Sequence, residues 1–270
     1  MAVRPLLCSR ELLANEELTP LSTSTTAAMS PSEAPRRGHH GMPPPPRQGE
    51  FEIVGEQCLE YVRQHATQGD AQSVVDAMDN FAYEKTWMMN IGDVKGAIVD
   101  AEIEQAKPQV MAEIGAFCGY SAVRFASKLR AVSGPSAHFY SFEFSQHFAK
   151  IASQIVALAG LSDVVTFFVG PFSETYTKLK ELGINHVDVF FMDHDKRQYL
   201  SDFKLIEQSG LLKPGAVIVA DNVLSPGPGR LPDYLEYVRS NPKFTSVLHE
   251  SFVEYQAELK DGVEVTIYVG

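Results

Sequence analysis

From residue 109 onward, short apolar runs alternate with longer amphipathic segments, and this alternation constrains the fold more than any other feature. The runs have the length of β-strands, and the segments between them have helical periodicity. Strands that alternate with helices form a mostly parallel sheet with helices on both faces, so we expect an α/β fold with seven strands. The predicted strands are 109–114, 137–143, 163–169, 187–193, 215–221, 244–253 and 263–269, and the predicted helices are 120–132, 145–159, 172–182, 199–209 and 231–240.

The last two predicted strands follow each other without a helix between them. The tripeptide Lys260-Asp261-Gly262 lies between them and is a turn signal. The sequence therefore predicts a C-terminal antiparallel hairpin at one edge of the sheet.

The chain before residue 109 divides into a low-complexity extension and three predicted helices. Residues 1–50 contain a long stretch rich in Ser, Thr, Pro and Gly, which predicts a disordered N-terminal extension. The first helix begins near residue 51, the second is capped by Asp70, and the third begins at Asp93. We therefore expect residues 51–270 to form a single domain.

Charge and composition exclude several classes of protein. The net charge of −11 argues against a nucleic-acid binder, which normally presents a basic face. No apolar run approaches the roughly 20 residues that span a bilayer, and the N-terminus shows no secretory signal. The three cysteines form no paired framework, as is typical of a reducing compartment. We expect a cytoplasmic monomer without membrane or nucleic-acid partners.

Polar side chains follow two neighbouring predicted strands. The fourth strand ends in Asp193, and the fifth ends in Asp221 and Asn222. Ligands of open α/β sheets bind at the carboxyl ends of strands, and two carboxylates with an amide suit Mg²⁺. The alternative is that both aspartates cap the helices that follow. Lys196 could act as a general base, or it could be a surface lysine that pairs with Asp195.

The first two predicted strands also end in carboxylates. Glu113 precedes a loop in which Gly115 and Gly119 let the backbone approach a ligand, although a simple tight turn would look the same. Glu143 ends the second strand, where an acidic residue can accept hydrogen bonds from ribose hydroxyls. The alternative is that Glu143 caps the next helix. Together these residues indicate a nucleoside-binding site.

Residues 51–270 resemble catechol O-methyltransferase, a family of Mg²⁺- and S-adenosylmethionine-dependent enzymes with a Rossmann-like class I methyltransferase fold. The resemblance implies methyl transfer from S-adenosylmethionine to one hydroxyl of a catechol, as in catecholamine metabolism. Five segments carry it: WMMNIGDVKG (87–96), EIGAFCGYSAVR (113–124), MDHDKRQYL (192–200), GLLKPGAVIVADNVLSPG (210–227) and VEY (253–255).

The resemblance also implies roles for individual residues. Lys196 would take the proton of the reacting hydroxyl, and Glu254 would bind the second hydroxyl. The implied metal ligands are Asp193, Asp221 and Asn222. The implied cofactor-binding residues are Ile91, Glu113, Gly115, Ser121, Glu143, Phe144, Ser173, Asp193 and His194. The implied substrate-binding residues are Trp87, Met89, Lys196, Asn222, Pro226 and Glu254. The alternatives are that Trp87 fills the core and that Glu254 is a charge on a strand face.

The largest departure from the family pattern is Asp195, which replaces an aromatic wall of the substrate pocket. The resulting D-x-D-K string resembles the caffeoyl-CoA O-methyltransferases instead. An opened pocket with an extra negative charge would prefer bulkier or cationic catechols. A cation-dependent O-methyltransferase of caffeoyl-type or flavonoid diols, and a nucleoside-binding module without activity, remain alternatives.

Overall fold

The computed structural model describes residues 46, 47, 49–224, 231–256 and 258–270. The extension predicted as disordered lies outside the described residues, except for the last few positions before the first helix. Nine helices are described: α1 (Phe51–His65), α2 (Ala71–Glu84), α3 (Gly92–Ala106), α4 (Tyr120–Ser133), α5 (Gln146–Leu158), α6 (Phe172–Thr175), α7 (Thr177–Glu181), α8 (Tyr199–Ser209) and α9 (Pro232–Ser240).

The described strands form one mixed sheet in the order β3-β2-β1-β4-β5-β7-β6. All neighbours pair in parallel except β7, which runs antiparallel to both β5 and β6. The seven-stranded, mostly parallel α/β sheet predicted from the sequence is confirmed. The strands are β1 (Val110–Ile114), β2 (His138–Glu143), β3 (Val165–Val169), β4 (Val189–Met192), β5 (Val217–Ala220), β6 (Phe244–Phe252) and β7 (Lys260–Tyr268).

Helices cover both faces of the sheet because the inner strands are apolar on both sides. On β4, Phe191 faces a core formed with α1 to α5, and Phe190 faces a second core formed with α6 to α9. Parallel strands that are buried on both faces read as continuous hydrophobic runs, as β4 and β5 do. The predicted cap of α2 is confirmed, since the Asp70 side chain accepts a hydrogen bond from the Ser73 amide. No helix among the described residues has the length and apolarity to cross a bilayer.

Two local predictions are wrong. The helix predicted at 172–182 is divided into α6 and α7 at Tyr176. The turn predicted at 260–262 lies inside β7, where Asp261 pairs with Ser251 of β6, so the hairpin closes between Phe252 and Lys260. Asp261 is 0% exposed, because its carboxylate contacts a buried lysine rather than water. A tripeptide that resembles an exposed turn is therefore part of the interior.

A buried polar network joins the N-terminal helices to the segments at the edge of the sheet. Asp79 of α2 accepts hydrogen bonds from the hydroxyls of Tyr120 (3.1 Å) and Tyr255 (2.9 Å). Burial raises the pKa of Asp79 to about 7, although the Tyr255 hydrogen bond opposes the shift. The Tyr255 hydroxyl also accepts a hydrogen bond from Asn90 Nδ2. The helices before β1 thereby fix the positions of two segments, 87–91 and 253–256.

Candidate active site

A cavity of about 990 Å³ lies at the carboxyl ends of the parallel strands. It is bordered by the loops after β1, β2, β3, β4 and β5, together with segments 87–90 and 253–254. Most of the predicted site residues line it: Trp87, Met89, Gly115, Glu143, Phe144, Ser173, Asp193, His194, Lys196, Asn222 and Glu254. Four others, Ile91, Glu113, Ser121 and Asp221, are buried and do not line the cavity. Pro226 lies outside the described residues.

The pairing of β4 with β5 brings the predicted metal ligands together. The Asp221 amide donates to the Met192 carbonyl (3.0 Å), so Asp193 and Asp221 follow adjacent strand ends. Neither aspartate caps a helix, because α8 follows Gln198 and α9 follows Leu231. The capping alternative is therefore wrong. Among the described residues no group of three or more His, Cys, Asp or Glu is arranged to hold a metal, and the predicted set has two carboxylates and an amide.

Asp221 is almost fully buried, and its charge is strongly perturbed. Burial raises the pKa of Asp221 to about 7, although the neighbouring Lys95 ammonium opposes the shift. Lys95 Nζ lies 2.9 Å from Oδ1 and 3.0 Å from Oδ2, but only the contact to Oδ2 has hydrogen-bonding geometry. One oxygen of Asp221 is therefore buried without a hydrogen-bond partner.

Lys196 lies at the edge of the sheet where the parallel strands end, beside Asp193, and is not a surface lysine. Its Nζ donates to Asp193 Oδ1 (2.8 Å) and to the Tyr199 hydroxyl (2.6 Å). The Tyr199 hydroxyl lies within hydrogen-bonding distance of the Met192 and Asp221 carbonyls, which end β4 and follow β5. The alternative in which Lys196 pairs with Asp195 is wrong.

Asp195 pairs instead with Arg197. The guanidinium Nε lies 3.0 Å from both carboxylate oxygens, and Nη2 lies 2.6 Å from Oδ2. These hydrogen bonds from Arg197 hold the pKa of Asp195 below its ordinary value. The extra negative charge that the sequence predicts for the pocket is thus compensated by a neighbour two residues away.

Glu254 and Trp87 also line the cavity and contact each other. The Trp87 indole donates to the Glu254 carbonyl (3.2 Å), and the Glu254 carboxylate accepts from Lys95 Nζ (3.0 Å). Glu254 is 9% exposed and lies in the connection between β6 and β7. It is therefore not a charge on a strand face, and Trp87 borders the cavity rather than only filling the core.

Glu143 holds the glycine loop after β1. Its Oε2 accepts from the amides of Ala116 (3.0 Å) and Phe117 (2.9 Å), and its Oε1 accepts from the Ser145 amide (2.8 Å). Burial raises the pKa of Glu143 above its ordinary value, although these amides oppose the shift. The cap of α5 is Ser145, so the carboxylate of Glu143 faces the loop and the cavity.

Gly115 is required by a close approach between two strand ends. Its φ of +99° favours glycine, and a Cβ there would collide with the Asp193 carbonyl oxygen and lie 2.8 Å from the carbonyl carbon. The loop after β1 therefore packs directly against the backbone that carries the predicted metal ligand.

Two buried polar atoms at the carboxyl ends of β1 and β4 have no hydrogen-bond partner. Glu113 Oε1 accepts from the Ser141 hydroxyl (2.6 Å), whereas Oε2 has no hydrogen-bond partner, and burial raises the pKa of Glu113 to about 8. His194 Nε2 contacts Asp202 (2.9 Å), whereas Nδ1 has no partner. Buried polar groups without partners suggest a polar ligand.

The sequence interpretation missed two residues of the site, Lys95 and Asp261. Burial acts to lower the pKa of Lys95, but the carboxylates of Asp221, Glu254 and Asp261 outweigh it and raise the pKa above its ordinary value. Burial acts to raise the pKa of Asp261, but Lys95 and Asn222 outweigh it and keep the pKa low. Lys95 lies inside the segment 87–96, but nothing local indicates that a lysine in a helix is buried.

Comparisons with known proteins agree with this geometry. A family model described as a methyltransferase domain matches residues 112–223. Catechol O-methyltransferase B of Danio rerio is 42% identical over 216 residues, which cover 80% of this chain and 79% of the relative. Catechol O-methyltransferase of Bos taurus is 42% identical over 216 residues, which cover 80% of this chain and 76% of the relative.

Solved structures share the fold. The O-methyltransferase TomG from Streptomyces achromogenes, in complex with SAM, has a TM-score of 0.63 at 21% identity, and the match covers 82% of this chain and 99% of that chain. The identity to both vertebrate relatives extends over 216 residues, about four-fifths of this chain. The chain therefore belongs to the catechol O-methyltransferase family of S-adenosylmethionine-dependent O-methyltransferases.

Proposed function

We propose that this protein transfers a methyl group from S-adenosylmethionine to one hydroxyl of a catechol in a reaction that depends on Mg²⁺. The observation that carries the proposal is the convergence of Asp193, Asp221 and Asn222 with Lys196 and Glu254 at one edge of the sheet. All of them except the buried Asp221 line the same cavity as the loop after β1.

The residues around the glycine loop fit the cofactor. Glu143 lines the cavity with a carboxylate that could accept hydrogen bonds from ribose hydroxyls, and Glu113 Oε2, at the end of β1, is a buried oxygen without a hydrogen-bond partner. His194 Nδ1 is a second unpaired polar atom. When bound, S-adenosylmethionine supplies the methyl group.

The donor set fits a divalent cation. Asp221 Oδ1 is buried without a hydrogen-bond partner, and two carboxylates with an amide oxygen are the hard ligands that Mg²⁺ prefers. When bound, Mg²⁺ supplies positive charge that favours the ionised catechol oxygen.

The remaining residues bind and orient the catechol. In its neutral amine form, Lys196 takes the proton of the reacting hydroxyl onto the lone pair of Nζ and becomes an ammonium, and Glu254 accepts a hydrogen bond from the second hydroxyl. Trp87 and Met89 form an apolar wall that holds the ring and excludes water. Holding the ring in one orientation accounts for part of the rate enhancement, since alignment of the reacting atoms removes an entropic cost.

A labelled-methyl assay tests the proposal directly. With dihydroxybenzoate or dopamine as acceptor, we expect turnover in Mg²⁺, loss of nearly all turnover after EDTA treatment, and recovery when Mg²⁺ is added back. Binding of S-adenosylmethionine in the presence of EDTA, measured by calorimetry, shows that the protein remains folded. Turnover that is unaffected by metal removal would contradict the metal assignment.

Methylation of caffeoyl-type or flavonoid diols is the second candidate. It is favoured by the polar wall that Asp195 and Arg197 form at the cavity in place of an aromatic residue. A substrate panel of simple catechols and extended diols, compared by kcat/KM, separates the two. Cofactor binding without turnover of any diol would instead favour a binding module.

Action as a cytoplasmic monomer without macromolecular partners stays a prediction.

The ion pair between Asp195 and Arg197 changes the prediction about substrate charge. Because Arg197 compensates Asp195, we expect the wild type to discriminate little between dopamine and dihydroxybenzoate. Arg197→Met leaves the Asp195 carboxylate unpaired and should raise the dopamine-to-dihydroxybenzoate ratio of kcat/KM roughly two- to fivefold, as expected for a partly screened charge. Asp195→Asn in the Arg197→Met background should reverse this gain. An unchanged ratio in Arg197→Met would show that the pair does not face the substrate.

A further inference from the structure

Lys95 of α3 is a buried cation that contacts three carboxylates. It is 1% exposed, and its Nζ lies 3.0 Å from Asp221 Oδ2, 3.0 Å from Glu254 Oε2 and 2.9 Å from Asp261 Oδ2. The three carboxylates come from the end of β5, the connection after β6 and the start of β7. One lysine therefore links a proposed metal ligand, a proposed substrate-binding residue and Asp261, which has neither role.

Asp261 has a second set of contacts that explains its position. Its Oδ2 also accepts a hydrogen bond from Asn222 Nδ2 (2.8 Å), and its Oδ1 accepts from the Leu224 amide (3.3 Å). An ionised carboxylate only accepts hydrogen bonds, so the amide nitrogen of Asn222, and not its oxygen, must face Asp261. The carbonyl oxygen of Asn222 consequently points away from Asp261. Asn222 also has a left-handed backbone (φ +56°), a conformation that asparagine adopts more readily than most other residues.

We propose that Asp261 is a positioning residue of the metal site, and that Lys95 is the internal cation that allows this extra carboxylate to be buried. This inference rests on the proposed function, in which Asn222 is a metal ligand. Asp261 selects the orientation of the Asn222 amide that presents its oxygen to the cation. Lys95 connects Asp261 to Asp221, so the ligands from the loop after β5 are held as one unit.

The number of carboxylates around Lys95 indicates that Asp261 has a role beyond stability. One carboxylate would be enough to pair with Lys95, yet three are buried around it. Burying ionised groups carries a desolvation cost, and apolar side chains of similar volume are often at least as stabilising. In metal sites, residues that hydrogen-bond the ligands orient them, and their loss typically weakens metal binding by about 10–100-fold.

Metal affinity measured without substrate or cofactor tests the proposal. Asp261→Asn conserves volume but replaces one of the two acceptor oxygens by an NH₂ donor, which must face either Lys95 and Asn222 or the Leu224 amide. We expect its Kd for Mn²⁺, measured by calorimetry, to rise about 10–100-fold relative to wild type. Asp188→Asn is the matched control, because Asp188 is a partly buried carboxylate paired with Lys213 at the opposite end of β4. Its Kd for Mn²⁺ should equal that of the wild type.

A swap variant separates orientation from folding. In Asp261→Asn/Asn222→Asp the amide of residue 261 can donate to a carboxylate at 222, which presents an oxygen to the cation in either orientation. We expect the Kd for Mn²⁺ to return toward the wild-type value, with folding of each variant checked by circular dichroism in EDTA. This double variant keeps the numbers of carboxylates and amides, and it carries the test if the single variant does not fold.

The outcomes are distinct. Wild-type Mn²⁺ affinity in folded Asp261→Asn, or a folded swap variant that binds no better than Asp261→Asn, overturns the positioning role while leaving the proposed function intact. A wild-type protein that binds no Mn²⁺ overturns the proposed metal site and the positioning role together.

Discussion

Replacing Lys196 with methionine is expected to lower kcat by roughly 10²–10⁴-fold, the usual contribution of a general base. The Kd for S-adenosylmethionine should change little, because Lys196 contacts Asp193 and Tyr199 and not the loop after β1. Methionine keeps nearly the length and volume of the side chain and removes both the proton acceptor and the charge beside Asp193. The measurement is single-turnover methyl transfer with saturating cofactor and metal.

A second substitution distinguishes proton transfer from charge. Arginine at position 196 keeps the positive charge near Asp193 but is too basic to accept a proton, so Lys196→Arg should be nearly as slow as Lys196→Met. Lys128→Met removes an exposed lysine that pairs with Glu104 and should leave kcat unchanged. A Lys196→Arg enzyme with wild-type kcat would show that Lys196 acts through its charge alone.

Substitution of Gly115 by alanine is expected to damage both stability and cofactor binding. The new Cβ would collide with the Asp193 carbonyl, and φ +99° is unfavourable for alanine. Backbone strain and a steric clash of similar size should together lower the free energy of unfolding by about 2–6 kcal/mol. Displacement of the loop and of Asp193 should raise the Kd for S-adenosylmethionine at least tenfold. Thermal unfolding and calorimetry measure the two effects.

Gly215→Ala is the matched control for Gly115→Ala. Gly215 has a similar φ of +93°, but no atom lies within 4 Å of the position that a Cβ would take. This variant should show only the backbone strain, about 1–3 kcal/mol, with an unchanged Kd for S-adenosylmethionine. Equal cofactor affinities in the two variants would contradict the argument that the close approach to Asp193 shapes the site.

The features that could be predicted from the sequence are those with a local pattern. The apolar run 187–193 predicts a buried parallel strand, and the structure has β4 there with Asp193 at its carboxyl end. The run 215–221 likewise predicts a buried strand, and the structure has β5 there. Because β4 and β5 are adjacent and parallel, Asp193 and Asp221 lie close together at their carboxyl ends. Strand ends carry chemistry because the sheet exposes them at one edge.

Two features of the site escaped prediction, and only one of them depends on a contact between distant parts of the chain. Asp261 sits in a tripeptide with the composition of a turn, and its burial depends on Lys95, which is 166 residues away in the sequence. The pairing of Asp195 with Arg197 is local but requires a short 3₁₀ helix at Lys196–Gln198 that directs both side chains to the same side. Neither contact has a periodic signal in the sequence.

The direction of β7 has a consequence for how the hairpin finds its alignment. Because β7 runs against β5, its first residues reach the edge where the parallel strands end. A slip of one residue in strand pairing would turn every side chain of β7 to the other face of the sheet and would take Asp261 away from Lys95. The buried contact between Lys95 and Asp261 therefore also favours the observed register of β7 over a shifted one. A misaligned hairpin would deprive Lys95 of one of its buried carboxylates and Asn222 of its hydrogen-bond acceptor.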